Sequence, residues 1–168
     1  MPVTPRGAGL QAFNALPRDE ARACLAGCLA VPRWVDEVAD GRPYGDLAAL
    51  RDRASASAAQ LSEHELASAL VRHPRIGEAS EAHDAEHSLR EQSGVDPADT
   101  ELALRLAAGN RAYEERFDRV FLIRASGRSA SEILAELDRR LSNDEATERG
   151  ETLSQLREIA MLRLESVV

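Results

Sequence analysis

The sequence predicts an all-α protein, a single-domain bundle of about seven to nine helices, and three observations carry that expectation. Apolar residues recur at helical spacing through nearly the whole chain. Ala and Leu dominate the apolar content while aromatics make up 4%, a composition that favours helices over strands, which draw on Val, Ile, Tyr, Phe and Thr. At 168 residues, 43% of them hydrophobic, the chain is long enough to bury a core without disulfides or a metal.

The elements follow in order. Ala21, Cys24, Leu25, Cys28 and Leu29 make one stripe, which stops before Pro32 because the residue preceding a proline disfavours helical angles. Cys24 and Cys28 share that face and read as two buried thiols, since neither a second Cys pair nor a nearby His completes a metal or redox site. A short helix around Trp34, Val35 and Val38 ends near Gly41, and Pro43-Tyr44-Gly45 turns the chain into the next one. There Leu47, Leu50 and Ala54 run into the segment Ala54 to Ala59, which alanine keeps helical.

Ser62-Glu63-His64-Glu65 is a capping box, in which serine and glutamate satisfy each other's exposed helix-start amides. It starts a helix carrying Leu66, Ala69, Leu70 and Val71. Pro74 ends that helix, which leaves His73 at the C-terminal edge, where a partial negative charge favours the protonated imidazole. Glu78 to His87 reads as a polar loop leading into a short helix over roughly 84 to 93, closed by Gly94.

Asp96-Pro97 and Thr100 open a long helix with apolar positions at Ala103, Leu106, Ala107, Tyr113 and Phe117. Val120-Phe121-Leu122-Ile123 is extended in character and too isolated to build a sheet. It either packs as a buried connector or offers backbone groups to a ligand. Ser129-Ala130-Ser131-Glu132 repeats the capping-box pattern before Ile133, Leu134, Leu137 and Leu141. Asn143-Asp144 starts the last helix, with Leu153, Leu156, Ala160 and Leu164. The chain contains no convincing internal repeat.

Charge and composition exclude whole classes of function. A net charge of −8 argues against nucleic acid, because a phosphate-binding surface needs a basic excess to release counterions. All 21 basic residues are arginine. Without lysine, no Schiff base forms with a carbonyl substrate and no pyridoxal phosphate is tethered, so any lyase chemistry runs on proton transfer and electrostatics. Met1-Pro2-Val3-Thr4-Pro5-Arg6 is not a basic flank before an apolar run, and no window of about 18 apolar residues occurs. The expectation is a cytoplasmic protein without a membrane partner.

Three constellations carry chemistry. His73-Pro74-Arg75-Ile76-Gly77-Glu78 fixes a histidine beside a proline, and Ser88-Leu89-Arg90-Glu91-Gln92 places a hydroxyl, a carboxylate and an amide at i, i+3 and i+4 of a helix. Together these groups could hold a polar heterocycle and set the protonation of an imidazole that titrates near neutral pH. The bland readings, which spacing alone favours, are a helix-terminal histidine bonded to a carbonyl and a solvated helix face. His83-Asp84-Ala85-Glu86-His87 matches the inverted zinc-protease pattern. A zinc hydrolase also needs a third ligand and a peptide cleft, and a chance match outweighs it. In Phe121-Leu122-Ile123-Arg124-Ala125-Ser126-Gly127-Arg128 the side chains of Phe121 and Ile123 serve the core. The backbone amides beside them suit imide or urea oxygens, and an arginine here suits a carboxylate. A helical protein-binding module without catalysis is the alternative class of function.

Taken together, the chain resembles the 2-oxo-4-hydroxy-4-carboxy-5-ureidoimidazoline (OHCU) decarboxylases. The residues that carry the resemblance are His73-Pro74-Arg75-Ile76-Gly77, Ser88-x-x-Glu91-Gln92, Asn110-x-x-Tyr113-x-x-x-Phe117 and Phe121 to Ser129, flanked by Phe13-Asn14-Ala15-Leu16-Pro17 and Ile159-Ala160-Met161-Leu162-Arg163-Leu164. Their joint order is specific, and they span essentially the whole chain. The resemblance implies an all-helical fold and the last step of urate breakdown to (S)-allantoin, with loss of carbon dioxide, no cofactor and no metal. It implies a small-molecule substrate from urate oxidation and a homodimer. By the same resemblance His73 would be the catalytic proton-transfer residue, Pro74 would line the ring, and Ser88, Leu89, Arg90, Glu91 and Gln92 would contact the ureido and hydroxyl groups, with Glu91 orienting the substrate or His73. Phe121, Leu122, Ile123, Arg124 and Ala125 would offer backbone contacts. Arg124 stands where the family often has cysteine, so either Arg124 or Arg128 would meet the carboxylate.

Overall fold

Helix-start chemistry and apolar spacing place eight helices in the computed structural model, which describes residues 9–76 and 100–168. They are α1 (Gly9–Ala15), α2 (Arg18–Cys28), α3 (Pro32–Asp40), α4 (Leu47–Ala58), α5 (Glu63–Leu70), α6 (Thr100–Phe117), α7 (Ala130–Arg140) and α8 (Glu145–Val167). No strand occurs among the described residues. The helix expected over roughly 84 to 93 lies outside them. The chain forms two compact units, Met1–Glu65 with Arg157–Val168, and Leu66–Leu156.

In the first unit α2 packs on α3 and α3 on α4. Trp34, Val35, Val38 and Ala39 are buried on α3, while Ala21, Leu25 and Cys28 face inward from α2. Pro32 opens α3 at its first turn, where the missing N–H costs nothing. Trp34 is completely buried, and its indole N–H donates to the Ala54 carbonyl at 2.8 Å. Asn14 closes a two-point clasp with Tyr44, its Nδ2 donating to the Tyr44 carbonyl and its Oδ1 accepting the Tyr44 N–H, both at 2.9 Å. Cys28 is buried as expected, whereas Cys24 is only half-buried. Leu47 at the start of α4 is 41% exposed and lies outside the apolar stripe assigned to it.

The capping box at Ser62 forms as the sequence predicts: the Glu65 N–H donates to Ser62 Oγ at 3.1 Å, and the Ser62 N–H donates to Glu65 Oε2 at 2.9 Å. At the other end α5 stops at Leu70, earlier than the proline alone requires. The N–H groups of Arg72 and His73 reach back three residues to the Ala69 and Leu70 carbonyls, tightening the final turn. Val71 therefore belongs to that turn, and its side chain is 83% exposed rather than inward.

In the second unit α6 packs against α7. The core joins Ile76, Leu106, Tyr113, Phe117, Phe121, Ile123, Ala125, Ile133, Leu134 and Leu137. The inward line of α6 is Leu106, Asn110, Tyr113 and Phe117. Ala103 and Ala107, expected on that line, are exposed: Ala107 follows Leu106 by one residue, a rotation of about 100°, and Ala103 stands in the first turn of the helix. On the part of α8 in this unit Leu153 is half-buried and Leu156 buried; Ala160 and Leu164, on the part in the first unit, are buried too.

Residues 120–125 run without regular structure and are the buried connector that one of the two readings expected, with Phe121, Leu122, Ile123 and Ala125 in the core. Gly127, at φ +78°, turns the chain out of that connector. Ser129 then caps α7, its Oγ accepting the Glu132 N–H at 3.1 Å. Ser129→Ala is expected to cost about 1 kcal/mol of stability; urea denaturation with an unchanged midpoint would contradict this cap's contribution.

Candidate active site

Residues 71–76 and 120–125 are the two non-helical segments of the second unit that carry candidate site residues. His73 and Pro74 are half-buried, and Ile76 belongs to the same apolar cluster as Phe121, Ile123 and Ala125. The apolar cluster thus ties the histidine segment to the connector. Ser88, Leu89, Arg90, Glu91 and Gln92 lie outside the described residues, as do His83 and His87. Among the described residues no three His, Cys, Asp or Glu side chains gather as a metal-binding group.

The histidine segment is held by α6. Arg75 donates to Glu114 through two bonds, Nε to Oε1 at 2.6 Å and Nη2 to Oε2 at 2.9 Å. The Arg75 guanidinium holds the Glu114 carboxyl below the usual carboxylate range. This pairing therefore adds stability above the ordinary glutamate pKa, and the contribution is lost as pH falls through the lowered value. One turn earlier, Asn110 Nδ2 donates to the Ile76 carbonyl at 3.3 Å.

The connector is held by polar side chains from α7 and α8. Arg140, 1% exposed, donates from Nη1 to the Leu122 carbonyl at 2.7 Å, and Gln155 Oε1 accepts the Arg124 N–H at 2.9 Å. Arg140 also donates to Glu148 Oε1 from Nε at 2.8 Å and from Nη2 at 2.5 Å, and its guanidinium lies over the Phe121 ring at 4.6 Å. Glu148 is fully buried and accepts the Tyr113 hydroxyl at 2.5 Å and Asn143 Nδ2 at 3.0 Å. Burial, and then the Glu148 carboxylate, push the Tyr113 hydroxyl pKa up, so it stays a donor. Two backbone groups of the connector are thus engaged within the protein, while Arg124 and Arg128 are both half-buried beside it.

Sequence reasoning assigned no role to Asn110, Glu114, Arg140, Glu148 or Gln155. The spacing of Asn110 and Glu114 by four, on the face that carries Leu106 and Tyr113, was the available signal. For Arg140 and Glu148 apolar periodicity offers none, since a charged pair in the core reads as two surface positions.

The OHCU decarboxylase family model matches residues 14–165. The chain is 29% identical over 159 residues to the 2-oxo-4-hydroxy-4-carboxy-5-ureidoimidazoline decarboxylase of Haloferax volcanii, covering 92% of this chain and 93% of that protein. It is 24% identical over 159 residues to the uric acid degradation bifunctional protein of Bacillus sp. (strain TB-90), where the match takes in 94% of this chain. The chain spans about a third of that relative's length, 32%. Two solved structures share the fold at a TM-score of 0.68. One is an OHCU decarboxylase crystallised in the presence of (S)-allantoin, 21% identical, covering 83% of this chain and 92% of that one. The other is an (S)-allantoin synthase, 18% identical, covering 95% of this chain and 54% of that one.

Proposed function

The chain belongs to the OHCU decarboxylase family, and from that membership we propose that it is a carboxy-lyase converting 2-oxo-4-hydroxy-4-carboxy-5-ureidoimidazoline to (S)-allantoin without a cofactor, with His73 as the proton-transfer residue. The observation that carries this reading is the family match over residues 14–165, which takes in His73-Pro74, Ser88 to Gln92 and Phe121 to Ala125 together.

The chemistry asks for nothing that a chain without lysine lacks. The substrate holds its carboxylate on a carbon next to a C=N bond. When the bond to the carboxylate breaks and carbon dioxide leaves, the electron pair moves into the ring and the nitrogen of the C=N bond takes up a proton. The ring carbon bearing the ureido group then takes a second proton, and the neighbouring hydroxyl gives one up as it becomes a carbonyl, so one proton is consumed overall. The protein has to hold the breaking bond out of the ring plane, strip water from the carboxylate and supply the proton from one side. His73 donates that proton, Glu91 sustains the imidazolium, and Arg124 or Arg128 meets the carboxylate. We place the reaction in the cytoplasm.

The test is to generate the substrate from urate enzymatically and follow its disappearance with and without the protein. Decay faster than the spontaneous rate is expected, and an unchanged rate overturns the reading. Glu91→Gln should lower turnover by about tenfold or more. Removing a negative charge beside an imidazole lowers its pKa, so the limb of the pH profile that reports His73 should move to lower pH. A profile that does not move would leave Glu91 a structural residue.

A further inference from the structure

Past Leu70 the chain leaves helical geometry: a last backbone bond runs from the His73 N–H to the Leu70 carbonyl, and beyond it Arg75 and Ile76 are engaged by side chains of α6. Asn110 and Glu114 stand one turn apart on α6 and therefore share a face. They engage consecutive residues: Asn110 holds the Ile76 carbonyl and Glu114 holds the Arg75 guanidinium by two bonds. Asn110 is 3% exposed, and the Ile76 side chain is buried as well. The Arg75–Glu114 pair sits nearer the surface, with side chains 48% and 24% exposed.

We propose that Glu114, with Asn110, is a positioning residue that fixes where the His73 imidazole stands against the substrate, a role that rests on the decarboxylase reading above. Two features separate positioning from mere stability. An ion pair this exposed contributes only about 0–1 kcal/mol to folding, so removing it leaves the fold in place. Its two-bond geometry, however, fixes direction as well as distance, because a planar guanidinium meets both carboxylate oxygens at once. The held residue lies two positions from His73, where a small backbone shift is passed directly to the imidazole. A displacement of about 1 Å at a reacting group costs as much as a hundredfold in rate.

The full-length protein carrying Glu114→Gln, Arg75→Gln or both tests the role. Each single change should lower kcat by about tenfold to a hundredfold while KM stays within about twofold. The double change should lower kcat no further than either single, because the two side chains act as one clamp. The charge-swapped pair, Arg75→Glu with Glu114→Arg, should recover part of the loss. An imidazole NMR titration, with the His73 signal assigned by its absence in His73→Asn, should show that signal displaced in both single variants. Unchanged kcat, losses that multiply in the double variant, a rise in KM alone, or an unmoved His73 signal would overturn the proposal. A wild-type protein without decarboxylase activity would overturn the reading it rests on instead, and the NMR arm would still decide whether the clamp places His73.

Discussion

His73→Asn should reduce the catalysed rate by about a hundredfold to ten-thousandfold, the usual span for loss of a positioned acid or base, while the protein remains folded. The backbone bond from the His73 N–H to the Leu70 carbonyl survives the change, and the half-buried side chain is not part of the apolar cluster that Ile76 enters. Asparagine keeps a polar group of similar reach but cannot carry a proton near neutral pH. His73→Ala should behave alike in rate. The measurement is the initial rate of circular dichroism change as chiral product accumulates, set beside far-ultraviolet spectra and a thermal melt. Wild-type turnover in either variant would remove His73 from the proton path. A collapsed melting temperature would mean that the lost rate reports folding rather than chemistry.

Breaking the Arg140–Glu148 pair should strongly destabilise the second unit. Both side chains are essentially solvent-free, and Oε1 of Glu148 takes two Arg140 donors and the Tyr113 hydroxyl together. Glu148→Ala leaves the guanidinium buried without its counter-charge, which costs about 3–5 kcal/mol. At this size that lowers the melting temperature by roughly 10 °C. Replacing both partners by apolar side chains, as in Arg140→Leu with Glu148→Met, should recover much of the loss, because the expensive state is the unpaired charge. The recovered double variant still lacks the donor to the Leu122 carbonyl, so its connector is released even where its stability returns. Urea denaturation of the three proteins gives the comparison. A Glu148→Ala loss under about 1 kcal/mol, or a double variant no better than the single, would contradict this account of the buried pair.

What was legible in the sequence was local. The Ser62 capping box forms in full and the serine cap at Ser129 forms as well, because the hydrogen bonds that define them lie within one turn. The stripes of α2, α3 and α7 follow apolar spacing for the same reason. Ala103 and Ala107 misled because alanine fits either face of a helix, and the choice fell to Leu106, Tyr113 and Phe117. The polar groups that fix the candidate site were not legible. Glu114 meets Arg75 across 39 residues of sequence and Asn110 meets Ile76 across 34, and nothing in a helical pattern names such partners. Arg140 and Glu148 lie eight apart, on different helices. Each alone reads as a solvated position, and only the fold reveals that they neutralise each other in the core.

The handedness of the product tests the central claim most directly. Substrate generated from urate and left alone decays to racemic allantoin, whereas a histidine that delivers its proton from one side gives a single enantiomer. With the protein present, the allantoin formed should be in large excess as the (S) form, read by circular dichroism at completion. Racemic product at a rate no faster than the spontaneous decay would contradict the assignment of this chain as a decarboxylase.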